Sequence, residues 1–265
     1  PEDITQLHSS EYKKPDSLPD GAVLVVGTGQ SGCQIAEDLH LAGKQVHLCV
    51  GGAPRSPRTY RGKDVVDWLD QMGYYDMPID DHPQKDSVRK KTNHYVTGRG
   101  GGREIDLRRF ALEGMLLYGR LRHIHGAQLA FKDDLNHNLD QADAVAESIK
   151  NTVDTYIEKN QLDAPIDPPY HAVWQPETSL LSLDLKTADI STVIWSTGYH
   201  TDFSWIDVPV FDGKGYPGHA RGVTTAQGLY FLGLPWLYTW GSGRFSGIAR
   251  DANYLADCIA LKNRV

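Results

Sequence analysis

The sequence predicts an α/β fold built on a parallel sheet, and three observations support it. An apolar, β-branched run, Ala22–Val26, leads straight into the glycine pattern Gly27-x-Gly29-x-x-Gly32. The residues that follow, "CQIAEDLHLAG", put Ile35, Ala36 and Leu39 at helical spacing, and a second apolar run, "QVHLCV", comes directly after. Far downstream, "DISTVIW" (Asp189–Trp195) is a third buried-strand run, followed at once by the small residues of "STGY".

Taken in chain order, the opening "PEDITQLHSSEYKKPDSLPDG" has no initiator Met and reads as a linker, residues 1–20, in front of the first strand. Strand, tight turn, helix and strand then give each glycine a separate job: the turn itself, close approach of backbone to a pyrophosphate, and close helix–strand packing. The helix N-terminus adds N–H groups and the favourable end of a dipole. Gly27, Thr28, Gly29, Gln30, Ser31 and Gly32 are therefore candidate cofactor-binding residues of a Rossmann-like domain spanning residues 21–195.

The end of the second strand selects the nucleotide. An NAD site places Asp or Glu there to accept from the ribose 2′-hydroxyl. Here "HLCVGGAPRSPRTYRGKD" offers no carboxylate at the strand end, and Arg55, Arg58 and Arg61 follow. Guanidinium forks suit a 2′-phosphate, so NADP(H) is the expected cofactor, with Arg55 and Arg58 ahead of Arg61 as its readers. A solvated basic loop is the competing explanation of the cluster.

"KDVVDWLDQMGYY" predicts a short helix with Val65, Val66 and Leu69 inward. Gly98, Gly100, Gly101 and Gly102 predict a mobile turn, and Asp106 a cap for a helix carrying Phe110, Leu112, Met115 and Leu116. Arg108 and Arg109 read as solvated charges on that helix, with contact to a phosphate or a neighbouring domain as the alternative. "AQLAF" reads as a strand. Leu139, Ala142, Ala146, Ile149, Val153 and Ile157 then mark a long amphipathic helix, an insertion near 135–160 that ends before Pro165. The histidines His123, His125 and His137 lack ligand spacing, so no metal is expected. Beyond residue 195 the chain predicts hairpin turns in "FDGKGYPG", a strand at Leu229–Leu232, a glycine-rich loop and a last helix, "IARDANYLADCIA". One strand and one helix make too small a core, so residues 196–265 read as part of a second unit that needs other strands.

Composition narrows the function. A formal charge of −7 argues against a nucleic-acid partner. Three scattered cysteines without a CxxC indicate neither a disulfide framework nor a zinc site, and no apolar run is long enough for a membrane span. A cytoplasmic location is the expectation. No nucleophile paired with a general base is evident, so catalytic residues stay unassigned.

Four stretches together resemble the class B flavin-containing monooxygenases. "QLHSSEY" is similar, through His8 and Tyr12, to the tail of the family's FxGxxxHxxx(W/Y/F) signature. "VVGTGQSGCQIAEDL" looks like the NADPH cradle. "IWSTGY", with Thr197, Gly198 and Tyr199, resembles the ATG-like link between the two nucleotide domains. "GLYFLGLPWLYTWGSGRFSG", with Arg244 and Phe245, looks like the C-terminal part of the FAD domain. "GGREIDLRRFALEG" is closest to a bacterial subgroup of flavoprotein oxidoreductases.

The resemblance implies an enzyme in which NADPH reduces FAD and dioxygen is activated as a flavin hydroperoxide to oxygenate a small organic substrate. It also implies a second, N-terminal glycine cradle for FAD that this chain does not show. The expectation is thus a C-terminal portion: the end of the FAD domain in residues 1–20, the NADPH domain, and an incomplete FAD-binding Rossmann-like domain in 196–265. Such a chain would bind NADP(H), would not hold FAD alone, and would have a missing FAD-binding segment as its partner. Two other readings stay open, a flavoprotein reductase without oxygenation and a non-catalytic NADP(H)-binding fragment. Oligomeric state is left open.

Overall fold

A computed structural model describes residues 3–91 and 93–262. The chain forms two compact units, one of residues 1–65 with 92–198 and one of residues 66–91 with 199–265.

The first unit is a layered α/β structure. Its strands and helices run β1 (Thr5–His8), β2 (Ala22–Val26), α1 (Gln30–Leu41) and β3 (Val46–Cys49), then the small hairpin β4 (Thr59–Tyr60) and β5 (Lys63–Asp64). Helix α2 (Val65–Gln71) leads out into the second unit. On its return the chain forms α3 (Leu107–Leu112), β6 (Leu116–Tyr118), β7 (Leu121–His125), β8 (Gln128–Phe131), α4 (Leu135–Lys159), β9 (Ser182–Asp184) and β10 (Ile190–Trp195). Five strands make one parallel sheet in the order β1-β10-β2-β3-β6. The residues expected as linker thus supply its edge strand, with Leu7 opposite Ile194.

Side-chain alternation in β2 shows how the sheet is covered on both faces. Val23 and Val25 join Cys33, Ala36 and Leu39 of α1, Phe110 of α3 and Leu139 of α4 in one core. Leu24 and Val26 face the other way, into a core with Leu129, Phe131 and Leu183. That second face is covered by the antiparallel meander β7-β8-β9, which with α4 fills the crossover from β6 to β10. Along α4, Leu139, Ala142, Ala146, Val153 and Ile157 are buried at the predicted spacing, while Ile149 is half-buried. In β3, His47 is buried with Nδ1 2.9 Å from the Tyr118 hydroxyl. Burial lowers its pKa to about 4.

Three local expectations need correction. In α2 the inward residues are Val65 and Trp68, and Val66 is exposed, because a three-residue step from Val65 lands on the tryptophan. Helix α3 stops at Leu112: Gly114 takes a left-handed φ of 104° just past the end, and Met115 and Leu116 lead into β6 instead. The Leu229–Leu232 strand reduces to a single bridge between Tyr230 and Val223. Left-handed Gly228 and Gly233 bracket that run, each turning the chain before a ladder extends.

The second unit gathers two small cores. Ile79, Val88 and Trp236 make one; Val210, Phe231 and Leu237 make the other. It also holds the hairpin β11 (His219–Ala220) and β12 (Val223–Thr224) and the helix α5 (Ile248–Lys262). "GKGYPG", a second match to the bare glycine pattern, is a turn here: the Asp212 carboxylate accepts from the N–H groups of Lys214 and Tyr216.

Candidate nucleotide-binding site

The sheet order reverses between β2 and β10, since β3 and β6 lie on one side of β2 and β1 lies beyond β10. Ligands of open α/β sheets bind at such a point, outside the carboxyl ends of the strands. Gly27 to Gly32 stand there. Gly27 has φ +106°, and a Cβ on it would lie 2.5 Å from the Ser196 carbonyl oxygen at the end of β10. A Cβ on Gly32 would lie 1.9 Å from the Gly27 carbonyl oxygen, so only glycine lets α1 start this close to β2. Gly29 is the N-cap of α1 and has no side chain to cap the first N–H groups of the helix.

Neighbouring groups hold this turn rigid. Thr28 is buried, and its Oγ1 accepts from the Gly51 N–H at 2.9 Å, tying the turn to the segment after β3. Gln30 donates from Nε2 to the Val96 carbonyl at 3.0 Å, and Gln34 donates to the same oxygen at 2.8 Å. Ser31 and Gln34 line a cavity of about 480 Å³ beside α1 that also takes in Ser9, Tyr12 and Glu37. Tyr12 donates to Asp38 on α1 at 2.6 Å, and burial together with that carboxylate pushes its phenol well above the usual range. His8 closes β1, with Nδ1 2.8 Å from the Ser10 hydroxyl. Thr197 and Gly198 follow Ser196 out of β10 and are exposed, with Gly198 at φ +98°.

The three arginines proposed for the 2′-phosphate all face carboxylates. Arg55 is 1% exposed, with Nη1 2.9 Å from Glu104 and 3.6 Å from Asp106, and Nη2 3.0 Å from Asp143. Its guanidinium also lies 4.2 Å from the centre of the Tyr170 ring. Arg58 pairs with Asp64 at 2.6 Å, and Arg61 lies 3.5 Å from Asp154. Arg108, expected on a solvated face, is buried and bonds Asp140, Asp143 and the Trp174 carbonyl. These two buried arginines fasten α4 to the segment after β3 and to α3. Burial raises the Glu104 pKa, against the opposing pull of Arg55.

Arg120 belongs to none of the sequence motifs. It follows β6, the neighbour of β3, and its Nη2 comes within 2.6 Å of where a Cβ on Gly52 would sit. The only sequence signal was position, an arginine one residue past a glycine that ends a strand.

In the second unit, Arg244 lies over the Trp240 ring at 3.5 Å and donates to the Trp240 carbonyl at 3.0 Å. Phe245 and Tyr199 are exposed. Among the described residues no cluster of three potential metal ligands occurs, and no helix is long and apolar enough to cross a membrane.

Residues 4–76 match the flavin-binding monooxygenase-like family model. An uncharacterized oxidoreductase CzcO-like of Geobacillus kaustophilus is 29% identical over 259 residues, covering 97% of this chain and 57% of the relative. CzcO of Bacillus subtilis, likewise an uncharacterized oxidoreductase, is 26% identical over 255 residues, covering 96% and 57%. Among solved structures, the flavin-containing monooxygenase of Stenotrophomonas maltophilia superposes with a TM-score of 0.51 at 13% identity, covering 98% of this chain and 56% of that one. The chain spans a little over half the length of the relatives it matches.

Proposed function

Starting from a chain related in sequence to the flavin-binding monooxygenase-like family and in fold to a flavin-containing monooxygenase, we propose that it supplies the NADP(H)-binding part of an FAD- and NADPH-dependent monooxygenase acting on a small organic molecule. The observation that carries this is the glycine turn at the switch point, Gly27 to Gly32, with no carboxylate at the end of β3. Its residues fit the dinucleotide. Gly27 and Gly32 bring the turn, the end of β10 and the start of α1 closer together than any side chain allows, and the first N–H groups of α1 supply donors for a pyrophosphate. Thr28 and Gln30 hold that turn so that little is reorganised on binding.

A bound flavin supplies the hydride-accepting and dioxygen-activating chemistry. The residues of this chain bind and orient the nicotinamide nucleotide and shape the surroundings of the reacting atoms. No proton transfer is assigned to a side chain. FAD would be held mainly by a glycine cradle of the same strand–turn–helix kind, and among the described residues one such cradle stands, that of β2 and α1. The second reading, a flavoprotein reductase that does not oxygenate, is favoured by the oxidoreductase names of the bacterial relatives.

Titration of the purified chain with NADPH, followed by calorimetry, is expected to give saturable binding, and the protein is expected to carry no flavin absorbance. Failure to bind NADPH would remove the cradle reading. Sustained, flavin-dependent NADPH oxidation by this chain alone would overturn the division of labour. In a preparation that also contains the FAD-binding segment, oxygen uptake ending in peroxide with every substrate offered would favour the reductase.

A further inference from the structure

We propose that Arg120 is the residue that recognises the 2′-phosphate of NADP(H). This deepens the nucleotide reading above and rests on it. β3 and β6 are parallel neighbours with Cys49 opposite Tyr118, and the Val50 N–H donates to the Tyr118 carbonyl at 2.9 Å. Their continuations, Gly51-Gly52 and Gly119-Arg120, therefore leave the sheet side by side at its carboxyl edge. In an NAD site the carboxylate that accepts from the ribose occupies this end of the strand. Here the place is taken by a guanidinium from the adjacent strand. Arg120 Nη2 stands 2.6 Å from where a Cβ on Gly52 would sit, so the guanidinium lies directly against the glycine that follows β3.

The arginine is anchored at its backbone and open at its head. Its N–H donates to Asp134 Oδ1 at 2.8 Å, and Gly119 before it admits no side chain, since a Cβ would meet the Lys132 carbonyl at 2.1 Å. The side chain is 48% exposed, and Nη1 lies 3.7 Å from Asp134 Oδ2, beyond hydrogen-bonding distance. Its donor fork is thus available to a phosphate. Arg55 and Arg58 hold carboxylates at 2.9 and 2.6 Å, and the Arg61 side chain, 3.5 Å from Asp154, is only 18% exposed. The bond from Gly51 to Thr28 fixes this corner relative to the glycine turn, as recognition of pyrophosphate and 2′-phosphate on one nucleotide requires.

The test is calorimetric titration of the 265-residue chain with 2′,5′-ADP and with 5′-ADP, which differ only in the 2′-phosphate. The wild type is expected to prefer 2′,5′-ADP by about 10- to 100-fold, the span of a charge-assisted hydrogen-bond pair. Arg120→Ala should abolish the preference, leaving the 5′-ADP affinity within about threefold and the ligand-free thermal midpoint unchanged. Arg120→Lys should keep part of it, and Arg122→Ala, an exposed arginine on β7, should keep all of it. A preference that survives Arg120→Ala, or is lost equally in Arg122→Ala, overturns the assignment. Equal wild-type affinity for the two ligands also overturns it while the cradle stands; binding of neither removes the cradle and the assignment together.

Discussion

Replacing Arg55 by alanine is expected to destabilise the first unit, not merely to weaken cofactor binding. Its guanidinium is buried among Glu104, Asp106 and Asp143, and Arg108 beside it is buried against Asp140 and Asp143. Four carboxylates face two guanidiniums, and the substitution leaves four facing one. Removing one partner of a buried ion pair costs about 3–5 kcal/mol. Two features place this site at the low end. Glu104 is 34% exposed and can regain water, while Asp106 keeps the Arg108 N–H at 2.9 Å and Asp143 keeps Arg108 Nε at 2.8 Å.

The expected loss is about 3 kcal/mol, which lowers a urea midpoint by about 1 M at an m-value near 3 kcal/mol/M. The loss should depend on pH with a definite sign. Glu104 already has a raised pKa because burial outweighs Arg55, so stability falls as pH rises through that pKa. Without Arg55 the pKa rises further and the fall deepens, so Arg55→Ala is hurt more at pH 8 than at pH 5. Urea melts at both values, paired with the two-ADP titration, decide the matter. A variant within about 0.5 kcal/mol of wild type that had lost its preference for 2′,5′-ADP would refute the ion-pair account and restore Arg55 as a phosphate reader.

His47 should set much of the acid sensitivity. With a folded pKa of about 4, its contribution is present above the ordinary histidine value near 6.5 and is lost as pH falls through 4, about 3 kcal/mol in all. His47→Gln should flatten that arm of the stability–pH curve, and an unchanged slope would rule the histidine out. Gly32→Ala would gain about 1 kcal/mol of helix propensity if there were room. With the Gly27 carbonyl 1.9 Å from the new Cβ, a net loss of about 3 kcal/mol and at least tenfold weaker NADPH binding are expected instead. Gly98→Ala, into open space, should stay within about 0.5 kcal/mol of wild type by thermal melting. Equal behaviour of the two alanine variants would defeat the packing argument.

The parts legible in sequence were those whose cause is local. The βαβ unit announces itself through β-branched runs, helical spacing and glycines within a few residues of one another, and α4 through a stripe that repeats from Leu139 to Ile157. The parts that were not legible depend on neighbours distant in sequence. Arg55 looks like a free donor in a string of letters, and only folding brings Asp143 against it. Arg120 is hidden for the converse reason: it reaches the end of β3 because β6 pairs there, and pairing order is not written locally. At Leu112 to Leu116, helical spacing ran on into a strand because apolar periods overlap over so few residues. Gly114 was the available stop signal.

The position of β10 between β1 and β2 has a kinetic side. Thr5 pairs with Thr192, and Val23 with the same Thr192, so two strands meet only through one made well after both. Contacts of such long sequence separation slow folding, and they cannot form on the ribosome until Trp195 has emerged. Until then β2 has an open hydrogen-bonding edge and is a candidate for wrong pairing. The wall that Ser196 gives to Gly27 is also missing. The glycine turn is therefore translated well before β10 and matures only with it, and NADPH added during refolding should speed recovery only by trapping the final docking of β10.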